Sequence, residues 1–158
     1  MRQIPNHHLT KNFTLYEMIE GQLPYEAVQL NWQNYDEFNI ENAKKVLRVI
    51  QQRRDIINQM FISDTGDSSI GLRITSGFRC LAWERIRKRS GNSQHVYSLA
   101  GDVQPMFCSD GLAIKIIQWL YNQDNESYEG GLAIKYPKFQ KIGFIHYDAR
   151  GYRARWEY

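Results

Sequence analysis

The chain has 158 residues, 42% hydrophobic and 23% charged, with a net charge of +3. That is enough for one domain, residues 1–158, with a real core, and the mixed signs exclude a disordered polyelectrolyte. No run of about 18 apolar residues exists to insert in a membrane, and the densest basic segment, Arg85 to Arg89, is too short to predict a nucleic-acid partner.

Residues 1–12 are polar and predicted to form a loosely ordered arm, with His7 and His8 as a solvated pair. They lack the apolar centre of a secretory signal, so the expected place of synthesis is the cytoplasm. Thr14 and Glu17 have capping-box spacing, and Phe13 precedes the cap as a staple. Residues 21–39 show little period and read as irregular. From Ile40 the period is helical, with Ala43, Val46, Leu47, Ile50, Ile56 or Ile57, and Met60 on one face and Asn39 as N-cap. The basic residues Lys44, Lys45, Arg48, Arg53 and Arg54 read as its solvated side.

Residues 63–69 form a polar loop without the ligand spacing of a calcium site. Leu72 to Thr75 reads as a strand entering a Ser-Gly turn, Ala82 to Arg89 as a short helix, and Ala100 to Val103 as a strand. A helix begins at Asp110, capped by Ser109 or Asp110, and gives way to a polar loop at Asn122. Residues 130–134 and 143–147 read as strands. Helices gather in the first half and strands in the second. The predicted class is therefore α+β, a small mainly antiparallel sheet with flanking helices. Cys80 and Cys108 lack CxxC spacing and read as reduced thiols, and nothing in the chain fixes an oligomeric state.

Four histidines occur in all. The two outside the arm are His95, in a polar loop after Ser93, and His146, in the strand-like run Gly143-Phe144-Ile145-His146-Tyr147-Asp148. Asp102 lies seven residues beyond His95. Two imidazoles and a carboxylate suffice for a catalytic zinc ion with one position left open, although residues so scattered are more often ordinary surface or core polar groups.

The ordered run SGFR, NSQHVYSLAGD, GG and GFIHYDARGYRARW resembles the zinc D-alanyl-D-alanine carboxypeptidase family, in the branch found in phage endolysins and small bacterial wall hydrolases. Lys11 to Glu17 resembles its lead-in, so the likeness spans nearly the whole chain. The resemblance implies a hedgehog/DD-peptidase-like fold with one zinc per chain on His95, Asp102 and His146. It implies a metallopeptidase cutting a bond in the peptidoglycan stem peptide, as a D-Ala-D-Ala carboxypeptidase or an endopeptidase. Arg79 falls on the substrate-steadying arginine. Ser93 falls on the motif serine, either touching substrate or bracing the loop. Such an enzyme would meet the cell wall after phage-type release or as part of a virion. The alternative is a virion, tail-associated or wall-binding protein that keeps the fold with little catalysis.

Two departures stand out. Ser98 occupies a position where the family pattern has glycine, so the loop backbone is expected to differ. Gly143 and Phe144 stand where many relatives carry a general base. Asp148, facing the same way as His146, is then either that base or a partner that orients an imidazole, with Glu129 as an outside candidate. The tail from Arg150 to Trp156 either lines a groove or packs Tyr152 and Trp156 on the sheet.

Overall fold

The computed structural model describes residues 5–139 and 141–158. Elements follow in the order α1 (Leu15–Glu20), α2 (Tyr25–Asn34), α3 (Glu37–Met60), β1 (Gly71–Ser76), α4 (Leu81–Ile86), a 3-10 turn (Gln94–Tyr97), β2 (Ala100–Met106), α5 (Asp110–Asp124), β3 (Gly131–Lys135), β4 (Phe144–Asp148) and β5 (Ala154–Glu157). The five strands make one sheet in the order β1-β2-β4-β3-β5. Every pairing is antiparallel except β3 with β5. The fold is α+β, as predicted.

The core lies between α3, α5 and one face of the sheet. Ala43, Val46, Leu47, Ile50 and Ile57 of α3 are buried with Ile116, Ile117 and Leu120 of α5 against Val103, Leu132, Ile134, Ile145 and Tyr147. Each Ile or Leu so buried contributes about 1.5–3 kcal/mol of transfer free energy. A smaller cluster of Leu15, Ile19, Tyr35, Phe78 and Cys80 ties α1 to the turn after β1. Both cysteines are free thiols.

The structure corrects several expectations. Residues 5–12 are not loose: Leu9 packs on the core, and Gln51 of α3 binds the Thr10 hydroxyl, the Asn12 amide and the Asn12 side chain. Residues 1–4 of the predicted arm lie outside the described residues. The stretch 21–39 is mostly helical, because Asn31 of α2 is buried and donates to the carbonyls of Ile19 and Phe78, a polar anchor that leaves no apolar period. Asp36, not Asn39, caps α3 by accepting from the Asn39 amide. Ile57 is buried, whereas Met60 turns outward. Arg53 is not simply solvated. Its guanidinium grips Asp124 through two bonds of 2.9 and 2.8 Å, and the Tyr147 hydroxyl donates to the same carboxylate. The helix α5 continues to Asp124, beyond the predicted break, and β5 was not expected at all.

Candidate metal centre

Sheet register explains why Asp102 and His146 meet. They are paired residues of β2 and β4, and directly opposed side chains of an antiparallel pair share a face. Val103, Ile145 and Tyr147 point into the core, so Asp102, His146 and Asp148 take the opposite face. His95 reaches them from the 3-10 turn, whose N-cap Ser93 accepts from the His95 amide at 3.3 Å.

Two backbone features hold that turn in place. Ser98 has φ of 58°, the left-handed conformation that sends the chain from the turn into β2. A side chain in this conformation costs roughly 1–2 kcal/mol. Here the buried Ser98 hydroxyl shares a 3.0 Å hydrogen bond with Tyr35. Burial pushes the Tyr35 phenol up to about 12 despite that bond, so it stays a neutral partner. Upstream, Gly77 passes so close to α1 that a Cβ would stand 2.4 Å from the Met18 carbonyl oxygen.

His95, Asp102 and His146 are 1%, 5% and 2% exposed. Their ligand atoms lie within 4.8 Å of one another, so this buried group can hold a metal ion. The Gly77 carbonyl, 2.6 Å from His95 Nδ1, can only accept, which puts the proton on Nδ1. His95 Nε2 therefore carries a lone pair, and it is buried without a hydrogen-bond partner. That lone pair stands 3.4 Å from Asp102 Oδ1. Donors about 2.1 Å from a tetrahedral cation are roughly 3.4 Å apart, so this edge fits an ion directly. Burial also pulls the His95 imidazole below its ordinary pKa, although Asp102 opposes the shift. Protonation of Nε2 is thus disfavoured.

His146 completes the triangle. Nδ1 lies 2.7 Å from Asp102 Oδ1 and Nε2 lies 3.0 Å from Asp148 Oδ2. Burial pushes the Asp102 carboxyl up, but the imidazole of His146, which donates to it through Nδ1, outweighs burial and holds the group well below the carboxylate range. Asp148 is likewise depressed, with burial outweighed by His146 and Arg150. With both carboxylates ionised, both nitrogens of metal-free His146 donate, and its pKa is raised although burial pulls the other way. Were a cation held here, His146 would offer it Nδ1 and keep its Nε2–H on Asp148. Metal-ligating histidines are commonly oriented by a carboxylate in this way.

The positions of the remaining candidates are equally definite. Asp148 is fully buried, and its oxygens accept from the Gly131 amide, the Arg150 amide, Arg150 Nε, Arg150 Nη2 and His146. That geometry places it as the partner of His146, leaving no idle oxygen for a general base. Glu129 is exposed, before β3, and outside the buried group. Ser93 braces the loop, accepting from Arg79 Nη2 at 3.2 Å and from the His95 amide. Arg79 is held over Glu84, with Nε 3.0 Å from Oε1, and its backbone amide donates to the His95 carbonyl.

Sequence reasoning passed over Gly131 and Glu84 as site residues and took Arg150 and Trp156 only as part of a tail that lines a groove or packs on the sheet. Arg150 grips Asp148 at 2.7 and 2.6 Å and lies 5.2 Å from the Trp156 ring centre. The Trp156 ring also covers His146, 4.9 Å away centre to centre, while Tyr152 is 60% exposed rather than packed on the sheet. The alternation of arginine and aromatic residues in the tail was the available signal.

No family model, curated protein or solved structure matches the chain. Among the described residues no helix is long and apolar enough to cross a membrane.

Proposed function

We propose that the chain is a zinc-dependent peptidase that hydrolyses a peptide bond in bacterial peptidoglycan. The observation that carries this reading is the unpartnered His95 Nε2, buried 3.4 Å from an ionised carboxylate and beside a second imidazole. Two imidazoles and one carboxylate are a donor set that suits zinc and leaves a position open. When bound, zinc supplies a Lewis acid for the scissile carbonyl and lowers the pKa of water to near neutrality.

The chain's own residues then have distinct tasks. His95, Asp102 and His146 hold the ion, and Asp148 fixes the ring of His146 through Nε2. Arg79, tethered by Glu84, Ser76 and Ser93, keeps a positive charge beside His95. There it can take a peptide carboxylate or the charge developing on the carbonyl oxygen. The mild excess of positive charge suits approach to an anionic wall. The enzyme would reach that wall after release by a separate membrane-permeabilising protein, or as part of a virion.

One observation favours a second reading. Full engagement of Asp148 leaves the group without a free carboxylate base, which suits a wall-binding or virion module stabilised by a structural metal. Metal analysis of purified protein should find about one zinc per chain, as one set of three donors implies. Digestion of purified peptidoglycan, with mass spectrometry of the released ends, should show new peptide termini that disappear in His146→Ala. Zinc without new termini would select the second reading; neither zinc nor cleavage would end both.

A further inference from the structure

A cleft of about 220 Å³ opens on the outer side of Arg79, lined by Pro24, Ser76, Arg79, Trp83, Arg87 and Arg89. Its charge is unbalanced. Glu84, 1% exposed, is the carboxylate beneath it, and one oxygen serves two guanidiniums: Oε1 lies 3.0 Å from Arg79 Nε and 3.0 Å from Arg89 Nη1. Arg87 stacks over the Trp83 ring at 5.9 Å and has no acidic partner among the described residues. Three cations over one anion leave an excess of two positive charges facing solvent in one concave space.

The chain is folded to keep them there. After α4, Lys88 takes φ of 56°, and the Arg89 amide returns to the Glu84 carbonyl at 2.9 Å. That left-handed residue turns the backbone so that Arg89 points back over the helix it has just left. Burying Glu84 is costly unless its partners are fixed, so the carboxylate acts as a post on which two guanidiniums are pre-oriented. The inner end of the cleft adjoins the metal group, since Arg79 donates to the His95 carbonyl and to Ser93, which in turn accepts from the His95 amide.

We propose that this cleft is a subsite for a carboxylate of the substrate peptide other than the group cleaved. Arg87 and Arg89 bind the carboxylate, and Trp83 forms an apolar wall for the carbon chain that bears it. Guanidiniums match a carboxylate in planar, bidentate fashion; Arg87 has no acidic partner among the described residues, and Arg89 meets Glu84 through Nη1 alone, so both have donors free. The substrate class thereby narrows to acidic peptides. For its catalytic consequence the assignment rests on the peptidase reading, but binding itself can be measured without turnover.

The test uses zinc-loaded protein and a synthetic stem pentapeptide ending in D-alanyl-D-alanine, beside an analogue with every carboxylate amidated. Calorimetry should give at least tenfold tighter binding of the acidic peptide. The Arg87→Gln/Arg89→Gln variant should lose that preference while keeping its zinc content, at a lowered thermal midpoint because buried Glu84 loses one of its two partners. Arg87→Gln alone, which leaves Glu84 paired, should lose part of the preference at an unchanged midpoint, and Arg87→Lys/Arg89→Lys should restore part of it. Mass spectrometry of the same samples separates the two ideas. Charge-selective binding without cleavage upholds the cleft and sinks the peptidase. Cleavage without charge selectivity does the reverse. Equal affinity of the wild type for both peptides, or an undiminished preference in the double glutamine variant, overturns the subsite.

Discussion

Arg150 touches none of the three metal-group residues, yet the geometry makes it the outermost link of the chain that aims one of them. It holds Asp148 by two side-chain bonds, Asp148 holds His146 Nε2, and Nδ1 of the same ring faces Asp102. Gly131 belongs to this chain as well: a Cβ there would stand 2.1 Å from Asp148 Oδ2, inside the carboxylate. Outer partners of ligating histidines typically tune metal affinity by about 10–100-fold. Arg150→Ala should therefore weaken zinc binding by a factor in that range, read by competition with a chromogenic chelator, and Arg150→Lys should lose less. Unchanged affinity in both variants would remove Arg150 from the relay. At this scale the sequence was informative where chemistry has a fixed local spacing, as for His95 and Asp102. His146 was legible because so few histidines exist, and strand periodicity put Asp148 on its face. Arg150 and Glu84 were hidden because arginines and glutamates are common surface residues. Their roles come from which partner they meet after folding, and one chain carries no mark of that.

Among elements, α3 is the support on which the rest is arranged. Its apolar face covers the core side of β2 and β4, leaving their other face for the metal group, and its Gln51 ties down residues 10–12. Arg53 fastens it to the end of α5 through Asp124, which also receives the Tyr147 hydroxyl from β4. Burial raises the Tyr147 phenol well above its ordinary pKa, so it remains a donor to that carboxylate. Removing one partner of such a buried pair leaves an uncompensated charge and costs about 3–5 kcal/mol. Arg53→Met should lower the urea midpoint by that amount of stability without altering zinc affinity, because Arg53 lies on the side of the sheet away from the metal group. A change under about 1 kcal/mol would reduce the pair to a surface contact. Helical periodicity showed α3 and α5 because their cores are apolar. It missed α2, which is held by the buried amide of Asn31, and β5, a four-residue strand whose pairing with β3 spans an intervening strand.

For the whole molecule the metal group is a junction between β2, β4 and the turn that carries His95. Without a cation it sets the His95 lone pair against an ionised carboxylate, away from water and with no other hydrogen-bond partner. A cation would join three segments that are distant in sequence and would remove that opposition. A ligand that binds only the folded state stabilises it by about 4 kcal/mol at a thousandfold excess over its dissociation constant. In a domain of this size that corresponds to a rise of roughly 8–16 °C in the thermal midpoint. Zinc should produce such a rise and a strong chelator should reverse it. Magnesium should not, since it favours octahedral oxygen coordination over imidazole donors. His95→Ala offers the decisive comparison. It deletes the opposed lone pair together with a ligand, so the metal-free variant should lose less stability than removal of a buried side chain ordinarily costs, and zinc should no longer raise its midpoint. If the variant still gained the full zinc shift, the ion would be binding elsewhere and His95, Asp102 and His146 would be a polar cluster only.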